Sequence, residues 1–147
     1  NYDIKFNLAD PAVIPNVPDV SNNEDEWSVT FEVSDEFITR FVKSKDALSD
    51  LETFTVETRD GFHGEELVFT VGTNITNTIE FTVESTINES FGAIPFNSNL
   101  MKEILKANKD YHTGQIRINK KGLLDAHFHC GDDLYTGYYL VRKQENN

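Results

Sequence analysis

His127-Phe128-His129-Cys130 is the run whose residue types could do chemistry, by holding a transition metal or supplying a thiolate. Strand alternation places His127 and His129 on one face and Cys130 on the other, so the three cannot share an ion. Two imidazoles alone make a weak zinc site, a third ligand would have to come from elsewhere, and both histidines read as exposed surface residues. Cys130 continues the apolar alternation of Leu124, Ala126 and Phe128, which marks it as a core thiol rather than a nucleophile. Asp132-Asp133 lacks the spacing of a calcium loop and reads as a solvated turn. Glu57 and Glu65-Glu66 read as outward charges, without the burial an acid–base pair needs. The sequence has neither a glycine-rich phosphate loop nor a nucleophile elbow. The expectation is a non-enzyme that needs no metal or cofactor and whose work is binding.

Charge limits what it binds. The 147 residues carry 13 Lys and Arg against 25 Asp and Glu, a net charge of −12. Such a body repels nucleic acid on average, so any contact with DNA needs a local basic face. Two amphipathic segments offer one. Ser34 is a fitting N-cap, with Asp35-Glu36 in the first turn of a helix that runs to about Leu48. Phe37, Ile38, Phe41 and Leu48 share its apolar face, while Arg40 and Lys43 point elsewhere and Lys45 sits nearer the buried side. A second helix, capped by Asn97 or Ser98, spans Asn99 to about Tyr111, and Gly114 ends it. Its stripe is Leu100, Met101, Ile104 and Leu105. Lys102, Lys106 and Lys109 lie opposite, spaced four and three apart, which keeps them on one surface. Two helices side by side on one sheet would merge these cations into a surface that holds a polyanion without sequence choice. The plainer reading is that lysine is common on any exposed helix face.

The positioning elements repeat. A strand, a short helix and three strands run over residues 26–85, and the same order returns over 91–144. Trp27, Val29, Phe31 and Val33 alternate as a half-buried strand. Phe54 and Val56, then Leu67, Phe69 and Val71, then Ile79, Phe81 and Val83 mark three more, with turns at Asp60-Gly61 and Gly72 to Asn77. Ile94 and Phe96 open the second pass around Pro95, which suits an edge or a bulge. Ile116 and Ile118 follow, then a turn at Lys121-Gly122, then the strand of Leu124 to Cys130. Tyr138 to Val141 is apolar on both faces, as in a core or interface strand. Ahead of the repeats, Tyr2 to Leu8 alternates as a strand, and Ala9 to Asp25 is a linker with Pro11, Pro15 and Pro18. The reading is an α+β chain, with 26–147 as one domain and 1–25 as the end of a preceding domain with its connector. The single Cys130 rules out an internal disulfide and fits a reducing compartment. The sequons at Asn74 and Asn88 have no secretory context, and no apolar run is long enough to span a membrane.

The order of elements resembles the processivity fold of DNA sliding clamps, a duplicated β-α-β-β-β with two helices on one face of antiparallel sheets. Ala9-Asp10-Pro11 and the valine- and proline-rich linker look like the interdomain connector of T-even-type phage clamps. Glu32-Val33-Ser34-Asp35-Glu36-Phe37 resembles the strand-to-helix junction after it, and Tyr138-Tyr139-Leu140-Val141 the last strand of clamps. The resemblance covers nearly the whole chain, as a C-terminal domain. It implies a non-catalytic, ring-forming homo-oligomer, phage-encoded and in the host cytoplasm. The ring encircles duplex DNA, with Arg40, Lys43, Lys102, Lys106 and Lys109 facing the backbone, and tethers the replicative polymerase. It also implies that polymerase and clamp loader insert a short peptide into a groove walled by Val13, Ile14 and Val17 and floored by Tyr139 and Val141. The same linker valines could instead merely tack the linker down. The rival reading of the whole chain is an all-β phage ligand-binding or structural module, for which paired helices at matched points of a repeat are unusual.

Overall fold

The computed structural model describes residues 27–74, 77–111, 113–130 and 134–144. The strand over Tyr2 to Leu8, the linker with Val13, Ile14 and Val17, and the Asp132-Asp133 turn lie outside the described residues. The elements run β1 (Val29–Glu32), α1 (Asp35–Ala47), β2 (Thr53–Gly61), β3 (Gly64–Asn74), β4 (Asn77–Val83), β5 (Thr86–Ile87), β6 (Ile94–Asn97), α2 (Ser98–Ala107), β7 (Thr113–Asn119), β8 (Leu123–Cys130) and β9 (Leu134–Val141). The described residues are thus α+β, with two helices and antiparallel sheets. Among the described residues, only the two-residue β5 falls outside the duplicated order.

The two helices begin alike. Ser34 Oγ accepts the Phe37 amide at 3.0 Å, and Asn97 Oδ1 accepts the Leu100 amide at 2.9 Å. They end at different lengths. α2 stops at Ala107, short of the expected Tyr111, because Asn108 turns its side chain back onto the helix. Its Nδ2 donates to Ile104 O at 2.8 Å and to Tyr138 Oη at 3.0 Å, and its Oδ1 accepts from Thr136 Oγ1 at 2.6 Å. That buried knot pins the end of α2 to β9.

The halves are interleaved. One sheet has the order β5-β1-β7-β8-β9 and the other β4-β3-β2-β6. The first strand of each half therefore joins the sheet built by the other half. Phe31 of β1 lies opposite Ile116 of β7, and Phe96 of β6 opposite Phe54 of β2. Pro95 sits on the edge strand β6, where its missing amide costs least. α1 packs on β3 and β4, α2 packs on β2, and the helices touch each other. One core runs through both sheets and both helices. Phe31 of the larger sheet meets Phe37 at 5.1 Å and Phe69 of the smaller sheet at 5.7 Å, and Phe69 also packs on Phe37, Phe54 and Phe81.

Four local expectations change. The first hairpin turns at Phe62-His63 rather than Asp60-Gly61, with Gly64 at φ +121 closing it. The hairpin expected over Gly72 to Asn77 reverses only between Asn74 and Asn77, and Gly72 itself lies within β3 beside the register shift between Val71 and Asn74, where it serves a bulge. Gly114 is not a helix end but a residue of β7, where a Cβ would come within 2.5 Å of the Phe128 ring. Cys130 is half-buried at the end of β8, not a core thiol.

Phe69→Ala is expected to cost about 3–5 kcal/mol, because a fully buried ring at the crossing of two sheets leaves a cavity. Phe62→Ala, at a residue 96% exposed, is expected to stay within about 0.5 kcal/mol of the parent. Denaturant midpoints measure both. Equal effects would contradict the placement of the core.

Candidate nucleic-acid and partner-binding faces

The exposed side of the helix pair is one candidate face. Its geometry follows from the stripes that bury Phe37 and Phe41 on α1 and Leu100, Met101, Ile104 and Leu105 on α2. What remains outward includes Arg40, Lys43, Lys106 and Lys109, all exposed, and the half-buried Lys102. The cations are not alone. Arg40 is paired with Glu36 at 2.8 Å, one turn away. Lys102 reaches across from α2 to Asp46 of α1, which ties the two outer faces together and holds the Asp46 carboxyl below its usual range through that hydrogen bond. Lys45 is buried and donates to Ser49 O at 2.9 Å, so it takes no part. Together the helices carry five basic and four acidic residues, a net +1, so the rest of the chain carries −13. The face is a mixed one in a negative body, with Lys43, Lys106 and Lys109 its exposed cations without an ion pair among the described residues.

The second face is the outer side of the five-stranded sheet. Register sets it: Arg117 of β7 lies opposite Asp125 of β8, and Asp125 lies opposite Tyr139 of β9. Arg117 grips Asp125 with Nε and Nη2, both at 2.8 Å from Oδ2, and His127 Nδ1 lies 3.0 Å from the same oxygen. The indole of Trp27 covers the guanidinium, 4.5 Å from ring centroid to Cζ. The side chain of Asp125 is only 4% exposed and that of Arg117 15%. A carboxylate so placed stays buried because the Arg117 cation grips it with two N–H groups and His127 lies against the same oxygen. The ladder continues through His127 to His129, whose ring stacks on Tyr135 at 5.7 Å.

Tyr139 and Val141, the expected groove floor, are half-buried on this side, next to that cluster. Burial, then the Asp125 charge, pushes the Tyr139 phenol above its usual value. The expected wall of Val13, Ile14 and Val17 lies outside the described residues. The indole N–H of Trp27 is buried and finds no acceptor among the described residues. His127 corrects the sequence reading: its side chain is 21% exposed and bonded to Asp125, not a free surface imidazole. No group of three or more potential ligands is placed to hold a metal among the described residues. None of the described helices is long and apolar enough to cross a membrane. No protein-family model matches the chain, and no curated protein matches it.

Asp125→Ala is expected to cost about 3 kcal/mol, because it strands a mostly buried guanidinium. The double change Arg117→Met with Asp125→Leu is expected to recover most of that loss. Chemical denaturation of the three proteins measures it. Additive losses would mean the pair contributes nothing jointly.

Proposed function

We propose that this chain is a sliding-clamp domain, a non-catalytic unit of a ring that surrounds duplex DNA and tethers a replicative polymerase. The observation that carries the reading is the exchanged first strand of each half, which sets two amphipathic helices against one another with charged sides outward. An all-β ligand-binding module fits poorly, since both helices contribute to the single core.

In this reading the helix side lines the hole, and the sheets face outward. The mixed charge of the helix side is suited to sliding. Arg40 and Lys102 are already tied to acids, so only a few free lysines meet phosphate. Weak, salt-screened attraction guides a ring without arresting it, and backbone contact carries no base preference. Topology, not affinity, then supplies processivity. Identical subunits join through open strand edges. Polymerase and clamp loader dock by short peptides on the outer sheet face, where Tyr139 and Val141 offer apolar surface beside a rigid polar cluster.

Charge reversal at Lys43, Lys106 and Lys109 tests the DNA-facing role. The triple Glu variant is expected to lose most of its low-salt affinity for a short duplex, with the salt slope reduced by up to about three. Unfolding should shift by less than about 0.5 kcal/mol per site, because the positions are exposed. Unchanged duplex binding would remove these lysines from the DNA face.

A further inference from the structure

β5 fills only half of the slot beside β1. It pairs with Val29 and Thr30, and from there the chain, followed back toward β4, peels away to join the other sheet. Beyond Thr30, β1 has no strand neighbour on that side among the described residues. The wedge left behind is a cleft of about 580 Å³. One wall is β1 with the first turns of α1, and the other is the unbroken run 81–86. Successive side chains of an extended chain point to opposite faces. A cavity that touches every residue of such a run lies along its edge, against backbone as well as side chains. That is the geometry an added extended segment needs, and the volume lies in the range of ligand sites.

The chemistry of the cleft is one-sided. Phe81 and Val83 give it half-buried apolar surface, and Glu32, Glu36 and Glu84 are exposed along it. Among the described residues its one cation is Arg40, already paired with Glu36. The amide end of α1 adds little positive field, because Ser34 occupies one N–H and Asp35 and Glu36 fill the first turn. Glu32 has a 3.3 Å hydrogen bond from Gln115 Nε2 and is otherwise open to a stronger donor.

We propose that this cleft binds an extended basic segment of a partner protein by strand addition. The segment lies in the part of the slot that β5 leaves open, its main chain beside Phe31 and Glu32. Its Lys or Arg side chains meet Glu32, Glu36 and Glu84, and an apolar residue rests on Phe81 and Val83. Polyanions and acidic peptides are repelled by the same carboxylates. The site does not rest on the DNA-encircling reading, whose free lysines Lys43, Lys106 and Lys109 do not line it.

The test titrates the intact chain with an acetylated hexapeptide that alternates Lys and Val, followed by amide NMR and calorimetry. The expected result is saturable binding with shifts at Phe31, Glu32 and residues 83–86. Glu32→Gln with Glu84→Gln is expected to weaken it at least about tenfold without loss of fold, since both positions are exposed. A peptide N-methylated on its pairing amides is expected to bind at least about tenfold more weakly, and a Glu-Val peptide not at all. The proposal is overturned by absent binding, by shifts that map elsewhere, or by full affinity in the double variant. Spermine binding as tightly as the peptide, or the N-methylated peptide binding at full strength, would overturn strand addition.

Discussion

Everything in this chain depends on where β1 and β6 go. Each leaves its own half and completes the sheet of the other, β1 beside β7 and β6 beside β2. A half on its own would lack a strand and expose the inner faces of Phe31 or Phe96. The exchange therefore makes the two halves one cooperative body with one core. It also dictates the helix positions. Each helix is separated from the end of its exchanged strand by at most two residues and capped at the corner by Ser34 or Asn97, so both are delivered to the same place and touch.

That placement sorts the charge. The helix pair is close to neutral, while the remaining surface carries the acid. Much of the basic charge is also committed locally. Arg40, Lys102, Arg117 and Lys120 each hold a carboxylate, and Arg59 draws the Glu80 carboxyl below its usual range by hydrogen bonding. Exposed pairs of this kind contribute little to stability. The Arg117–Asp125 pair differs because it is largely buried beneath Trp27, where it ties β7 to β8 on the outer face.

Much of this was legible in the sequence, for physical reasons. Period-two alternation identified Phe54, Leu67, Phe69, Ile116 and Leu124 as inward, and all are buried. Cap chemistry announced both helices, at Ser34 for the first and at Asn97 or Ser98 for the second, where Asn97 is the cap. The partner of each strand was not legible, because alternation says which face is apolar and not which strand lies alongside. The end of α2 was missed because Asn108 stops it through a tertiary contact with Thr136 and Tyr138 from β9. The polar cluster was missed although a signal existed. Counting back from the turn at Lys121-Gly122 sets Arg117 opposite Asp125 on the outward side. The burial of that pair was not legible, since it depends on Trp27 arriving from outside the hairpin. The ion pairs that blunt Arg40 and Lys102 show why counting lysines overstates a basic face.

The central claim is that the helix side surrounds DNA and is held there by topology rather than affinity. The most direct measurement loads the intact protein onto a nicked circular duplex at moderate salt and then cuts the circle once. The account predicts retention on the circle and rapid loss from the free ends after cutting. Equal retention on circular and linear DNA, or none on either, would contradict it.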